Sequence, residues 1–182
     1  MKALFIFILL AFSNSLLAEQ QAIEPLDADE GYAIIALYSK GYTESIALKG
    51  SGLTNKYTFG PLNHSQHIEV IKMPAGRYTW DRVSERTGSL AQGNLLESYM
   101  DIADLDLSFT IEPGKLNYTG LFMLERLGSK ATIRVLNRTS IILKILEQDF
   151  PQYAEKFDIV NALYPNDHYI DFYLNHTQKV GE

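Results

Sequence analysis

Residues 105–123, LDLSFTIEPGKLNYTGLFM, decide how this chain is read. Leu107, Phe109 and Ile111 alternate with Asp106, Ser108 and Thr110, the period-2 pattern of a strand with one face in a core and one in water. At Glu112-Pro113-Gly114-Lys115 the pattern breaks: Pro113 supplies the fixed φ of turn position i+1 and Gly114 the positive φ that a type II turn needs at i+2. Leu116, Tyr118 and Phe122 then share a face, so the stretch reads as a β-hairpin.

The same device occurs upstream. Ile68, Val70, Ile71 and Met73 lead into Met73-Pro74-Ala75-Gly76, with Pro at i+1 and Gly at i+3 of a type I turn, and Tyr78 and Trp80 follow. Two hairpins, 67–83 and 105–123, facing each other across a core are the expectation. Around them, Tyr32-Ala33-Ile34-Ile35-Ala36-Leu37-Tyr38 is apolar on both faces, as in a central strand, and Ile46, Leu48, Tyr57, Phe59, Ala131, Ile133 and Val135 mark further strands. About eight short strands separated by Gly and Pro predict a mainly β fold, an antiparallel β-sandwich of about seven to eight strands over residues 31–136.

After Leu136 the period changes. Thr139 or Ser140 can cap a helix whose Ile142, Ile145, Leu146 and Phe150 form one stripe, and beyond Pro151 the residues Tyr153, Phe157, Val160 and Tyr164 suggest a second amphipathic segment. Residues 137–182 therefore read as a helical appendage and tail packed on the same domain, with 168–174 fitting either a strand or a short helix. The 182-residue length and 46% hydrophobic content suit one domain with a core of its own.

Lys2, the apolar run 3–12 and the small residues up to Ala18 have the form of a secretory signal peptide, residues 1–18, with cleavage after Ala18. The run is too short to span a bilayer, and Glu19 stands where a lipid-bearing Cys would be needed. Residues 19–30, polar and acidic, read as a flexible leader. There is no Cys, so an exported chain must rely on its core rather than on disulfides; a bacterial periplasm, or secretion, fits best. The four Asn-x-Ser/Thr triplets, at 63, 117, 137 and 175, carry no information in that setting. The net charge of −6 becomes −7 when Lys2 leaves with the signal, which disfavours nucleic acid and anionic lipid as partners.

The search for chemistry is short. There is no thiol, no phosphate loop and no Gly-x-Ser-x-Gly elbow, and Gly50-Ser51-Gly52 has turn composition. His64 and His67 are three apart but lack a third ligand nearby, and read as solvated histidines, as do His168 and His176. Asp101, Asp104 and Asp106 lack the Gly and distal Glu of a calcium loop. No metal, cofactor or catalytic residue is assigned. Aromatics are in excess, with 11 Tyr, 9 Phe and 1 Trp; Trp80 is the expected core anchor. Glu85–Asp104 is too long for a hairpin loop, and Tyr99 and Met100 within it are the candidate partner surface.

The unit Met73-Pro-Ala-Gly-Arg-Tyr-Thr-Trp80 resembles the hairpin of transthyretin-like and carboxypeptidase-regulatory-like β-sandwiches, and Phe109–Gly120 resembles the corresponding segment of small exported bacterial proteins with that architecture. The resemblance covers residues 31–136 and implies a sandwich that is not itself catalytic. The expectation is a binding or assembly module of the bacterial cell envelope with a protein partner. The alternative is a carbohydrate or cell-wall glycan module using exposed tyrosines, and a more distant one an envelope hydrolase.

Overall fold

The computed structural model describes residues 23–52, 55–87, 96–127 and 130–177. The signal peptide and its cleavage point, residues 88–95 of the long central loop and the tail from 178 lie outside the described residues. Among the described residues, ten strands form two five-stranded sheets. The first contains β1 (Glu30–Thr43), β4 (Leu62–Pro74), β8 (Leu116–Leu127), β9 (Lys130–Leu136) and β10 (Ile159–Asn161), in the order β10-β8-β1-β4 with β9 also on β8. The second contains β2 (Ser45–Gly50), β3 (Lys56–Phe59), β5 (Gly76–Thr87), β6 (Leu96–Asp101) and β7 (Ser108–Ile111), in the order β3-β2-β5-β6 with β7 also on β5. The fold is therefore a mainly β sandwich with helices at its C-terminal end, as the sequence led one to expect, with ten strands in place of seven or eight.

The two hairpins are not hairpins. β4 pairs with β1 and β5 with β2, so Pro74-Ala75-Gly76 carries the chain from one sheet to the other. Likewise β7 pairs with β5 and β8 with β1, so Glu112–Lys115 is a second arch between sheets. Alternation with a Pro-Gly turn describes both cases equally: each strand buries one face, and the pattern does not say against what. The hairpin pairings are β2–β3, β5–β6 and β8–β9.

Nor is the pairing wholly antiparallel. β1 and β10 both run parallel to β8. Parallel partners need a long crossover, and the second sheet, between β1 and β8, and β9 with the first helices, between β8 and β10, provide it.

The first sheet is covered on both sides, which is why β1 is apolar on both faces. Ala33, Ile35 and Leu37 enter the inter-sheet core with Met73, Phe122, Ile46, Leu48 and Trp80. Tyr32, Ile34 and Ala36 face the other way and lie under α1 (Thr139–Asp149), which buries Ile142, Leu143 and Leu146 on them. The layers are thus sheet, sheet and helix. Trp80 is fully buried at the centre, with its ring 4.7 Å from that of Phe122 and 6.0 Å from that of Phe59.

Leu116, Tyr118 and Phe122 do not share a face. Leu116 and Tyr118 lie under the helices, whereas Phe122 lies between the sheets. The switch is a bulge: Ile34 pairs with Tyr118 and Ala36 with Leu121, leaving one extra residue on β8. Gly120 absorbs it at φ +83°, where a Cβ would stand 2.5 Å from Val135 Cγ1.

Part of the expected leader is docked. Ile23 and Leu26 pack on the helix-side core, Glu24 pairs with Lys72, and Tyr32 donates its hydroxyl proton to the Glu24 carbonyl. The second amphipathic segment resolves into α2 (Pro151–Ala154) and β10, because residues 159–161 complete the first sheet beside β8. Residues 169–177 form a helix, α3 (Tyr169–Thr177). Neither Thr139 nor Ser140 caps α1; Arg138 holds that position, with its backbone N–H on the Tyr118 hydroxyl at 2.9 Å.

Both arches are tied to the start of β1. Ala75 N–H donates to Asp29 C=O at 2.7 Å and Gly114 N–H to Glu30 C=O at 2.8 Å, while Tyr32 N–H donates to Lys115 C=O at 2.9 Å. Asn117, fully buried, completes the knot: its Oδ1 accepts Glu112 N–H at 2.8 Å, and its Nδ2 is shared among the carbonyls of Tyr32, Glu112 and Lys115 at 3.0–3.1 Å. Asn117 is thus a structural amide, closed to modification in the folded chain. Gly31 lets the arch approach, since a Cβ there would stand 2.4 Å from Glu112 O.

Two outcomes follow. Asn117→Ala strands buried backbone groups of the second arch and should cost about 3 kcal/mol or more, whereas Asn137→Ala, on the exposed rim, should cost under about 1 kcal/mol, both read by urea unfolding. Burial pushes the phenols of Tyr78 and Tyr118 up to about 12. In the unfolded chain they ionise near 10, so their contribution is whole below pH 10 and is lost as pH rises from 10 to 12, on the order of 2 kcal/mol for each. Tyrosinate absorbance and near-ultraviolet circular dichroism should then change together in that window.

Candidate functional site

The long stretch Glu85–Asp104 contains a strand pair rather than a loop. In β6 the residues Ser98 and Met100 alternate with Glu97, Tyr99 and Asp101, and the strand zips antiparallel onto β5 from Thr87 opposite Leu96 to Arg82 opposite Asp101. Met100, opposite Val83, is half-buried against the inter-sheet core and anchors the strand. Of the two candidate residues, only Tyr99 belongs to the outer face. They are neighbours in sequence and opposite in direction, because a strand sends successive side chains to opposite sides.

A bulge on β5 ends β6. Ala47 pairs with Arg82 and Leu48 with Trp80, so Asp81 is extra; its carbonyl accepts Ile102 N–H at 2.9 Å, and Trp80 N–H donates to Leu107 C=O at 3.0 Å. The chain between leaves the sheet through a 3₁₀ turn at Ala103–Leu105 and returns as β7 on the same side of β5. Asp106 makes the return in the left-handed region, φ +48°, and accepts from Arg77 at 2.8 Å and from the Ser108 hydroxyl at 3.3 Å. Asp101 accepts Ala103 N–H at 3.0 Å. Asp101 and Asp106, two of the three aspartates of this stretch, therefore serve as turn and ion-pair residues. Among the described residues no three His, Asp or Glu side chains form a group able to hold a metal ion.

The outer face of this corner has ordered charge. β5 presents Arg82 and Arg86, and β6 presents Asp101 and Glu97 opposite them. The Arg82 guanidinium lies over the Tyr99 ring, 4.5 Å from its centre, a cation–π contact that holds one side of the ring. Arg86 pairs with Glu44 at 3.0 Å, and Glu97 has no ion pair among the described residues. On its other side β6 has no strand neighbour among the described residues. Leu96 and Tyr99 are 68% and 67% exposed, more than any other large apolar side chain described, and both are on this one strand.

Three other places were candidates for chemistry. Beside the 3₁₀ turn, Lys49, Ser51, Arg77, Thr79, Asp81 and Asp106 line a recess of about 380 Å³, wide open to solvent and with its arginine already held by Asp106. His67 Nε2 lies 3.1 Å from Glu69 Oε1 at the open side of the sandwich, near Thr58. His64 occupies the left-handed region at a break in the β1–β4 register. Between the helices, Leu143, Glu147, Pro151, Glu155 and Ile159 line a groove of about 410 Å³. None assembles a nucleophile with an oriented base.

Sequence reading singled out Tyr99 by loop length and aromatic character, and the structure places it exposed on β6. Leu96, Glu97 and the β5 arginines, which share this corner, were not singled out, because their alternation is visible in sequence and their pairing is not. No helix among the described residues is long and apolar enough to cross a membrane. Comparison of the chain with protein-family models, with characterised proteins and with solved structures found no match.

Proposed function

We propose that this chain is a non-catalytic binding module of the bacterial cell envelope that takes a protein partner as an added strand on β6. The observation that carries this reading is the concentration of the two most exposed large apolar side chains described, Leu96 and Tyr99, on a strand whose outer edge has no strand neighbour among the described residues. An open edge offers backbone donors and acceptors in register, and side chains on alternate sides supply selectivity. The first sheet has its outer face under helices, so the second sheet is the one available for engagement along face and edge. The envelope location rests on residues 1–18, read as an export signal. Glycan binding is the second reading, favoured by the exposed Tyr99 ring, whose apolar face and hydroxyl could stack on and bond a sugar.

A photo-crosslinking residue placed at Tyr99 should capture one recurrent envelope protein in cells, whereas the same residue at Thr58, on the opposite edge of the sheet, should not. Tyr99→Ser with Leu96→Ser should abolish that capture and change folding stability by no more than about 1 kcal/mol, since both side chains are exposed. Undiminished capture by the double variant would sink the strand-addition reading. Quenching of intrinsic fluorescence by cell-wall fragments, lost in Tyr99→Ser, would favour the glycan reading instead.

A further inference from the structure

The charge rows on the second sheet define what the added strand must carry. Moving outward across the exposed face, β5 presents the cations Arg82 and Arg86, and β6 presents the anions Asp101 and Glu97 directly opposite them. Tyr99 lies between the two carboxylates on the same face. Residues directly opposite on neighbouring strands come within about 5 Å, close enough for opposite charges to attract and like charges to destabilise. A strand added beyond β6 meets the anionic row first. Glu97 has no ion pair among the described residues, and Asp101 spends one oxygen on Ala103 N–H, so both carboxylates retain capacity to accept.

Resting on the strand-addition reading, we propose that β6 selects an extended peptide with the pattern basic-x-apolar-x-basic, its two cations facing Glu97 and Asp101 and its central apolar residue facing Tyr99. The four-residue spacing follows from strand geometry: positions 97, 99 and 101 share a face, so their partners must also lie two apart. Arg82 holds one side of the Tyr99 ring, and the incoming apolar side chain covers the edge that faces away from β5. A second copy of this chain is a poorer occupant in the register that stacks Tyr99 on Tyr99, because Glu97 of one copy would then oppose Asp101 of the other.

The test uses the purified full chain and two synthetic peptides, one with the core Lys-Thr-Val-Thr-Lys and one with Glu-Thr-Val-Thr-Glu. Binding is read by fluorescence anisotropy, and the site by amide hydrogen exchange at residues 96–101. The basic peptide should bind about tenfold more tightly at low salt, lose most of that advantage at about 0.5 M salt, and slow exchange in β6. Glu97→Lys should shift the preference toward the acidic peptide while lowering the unfolding midpoint slightly through Arg86 opposite, and Glu97→Gln, which sets no like charge against Arg86, should narrow the preference with the midpoint unchanged. Equal binding of both peptides with slowed β6 exchange would overturn the charge assignment while leaving strand addition standing. Unchanged exchange with either peptide would overturn both. A concentration-dependent dimer that protects β6 without peptide would make a second copy the occupant and overturn the proposed pattern.

Discussion

The buried amide of Asn117 is the interaction on which the rest of the sandwich depends. Two arches must leave the same end of the structure and cross from sheet to sheet, which exposes backbone groups where no ladder can pair them. The start of β1 takes one hydrogen bond from each arch, and Asn117 absorbs the donors and acceptors left over at Glu112, Lys115 and Tyr32. Gly31 makes this possible by having no side chain where the Glu112 carbonyl passes. With that knot tied, the starts of β1 and β8 are held side by side, and the two strands run parallel from there.

From this constraint comes the asymmetry of the molecule. The parallel β1–β8–β10 row needs cover on both faces, and the helices with residues 23–26 supply it on one side while the second sheet supplies it on the other. The second sheet is left with a polar outer face. Each sheet also splits one side into two short strands, β9 and β10 on β8, and β6 and β7 on β5. On β5 the split falls at the Asp81 bulge, where β6 ends, and β6 is anchored inward through Met100. An edge built in this way keeps its core side fixed while Tyr99 and Leu96 stay exposed, the combination a strand-addition site needs.

The candidate edge was half legible. Glu85–Asp104 stands out by length and Tyr99 by its aromatic ring, and a short helix or strand inside the stretch fits its sequence, but Leu96–Asp101 is not marked as the strand because its polar residues are those of an edge, which borrows little from the core. The pairing that turns Glu97 and Asp101 into an ordered row lies in β5, ten or more residues away, and no local pattern encodes it. The same limit explains Gly120. Leu116, Tyr118 and Phe122 look continuous in sequence, and only the neighbouring strand shows the extra residue that turns the last of them to the other face.

What the sequence by itself determined is the local content: strands at the alternating stretches, a doubly covered β1, turns at Pro74 and Pro113, a helix after Leu136 and Trp80 in the core. These follow from side-chain period and turn chemistry, which act over a few residues. Tertiary structure alone decided that the two Pro-Gly turns are arches between sheets, that β8 runs parallel to β1, that Asn117 is a structural amide and that β6 has one strand neighbour among the described residues. A period of two records that a strand has one buried face and is silent about its neighbour. That choice is made by the packing of both sheets and by the few buried polar groups that must find partners across it.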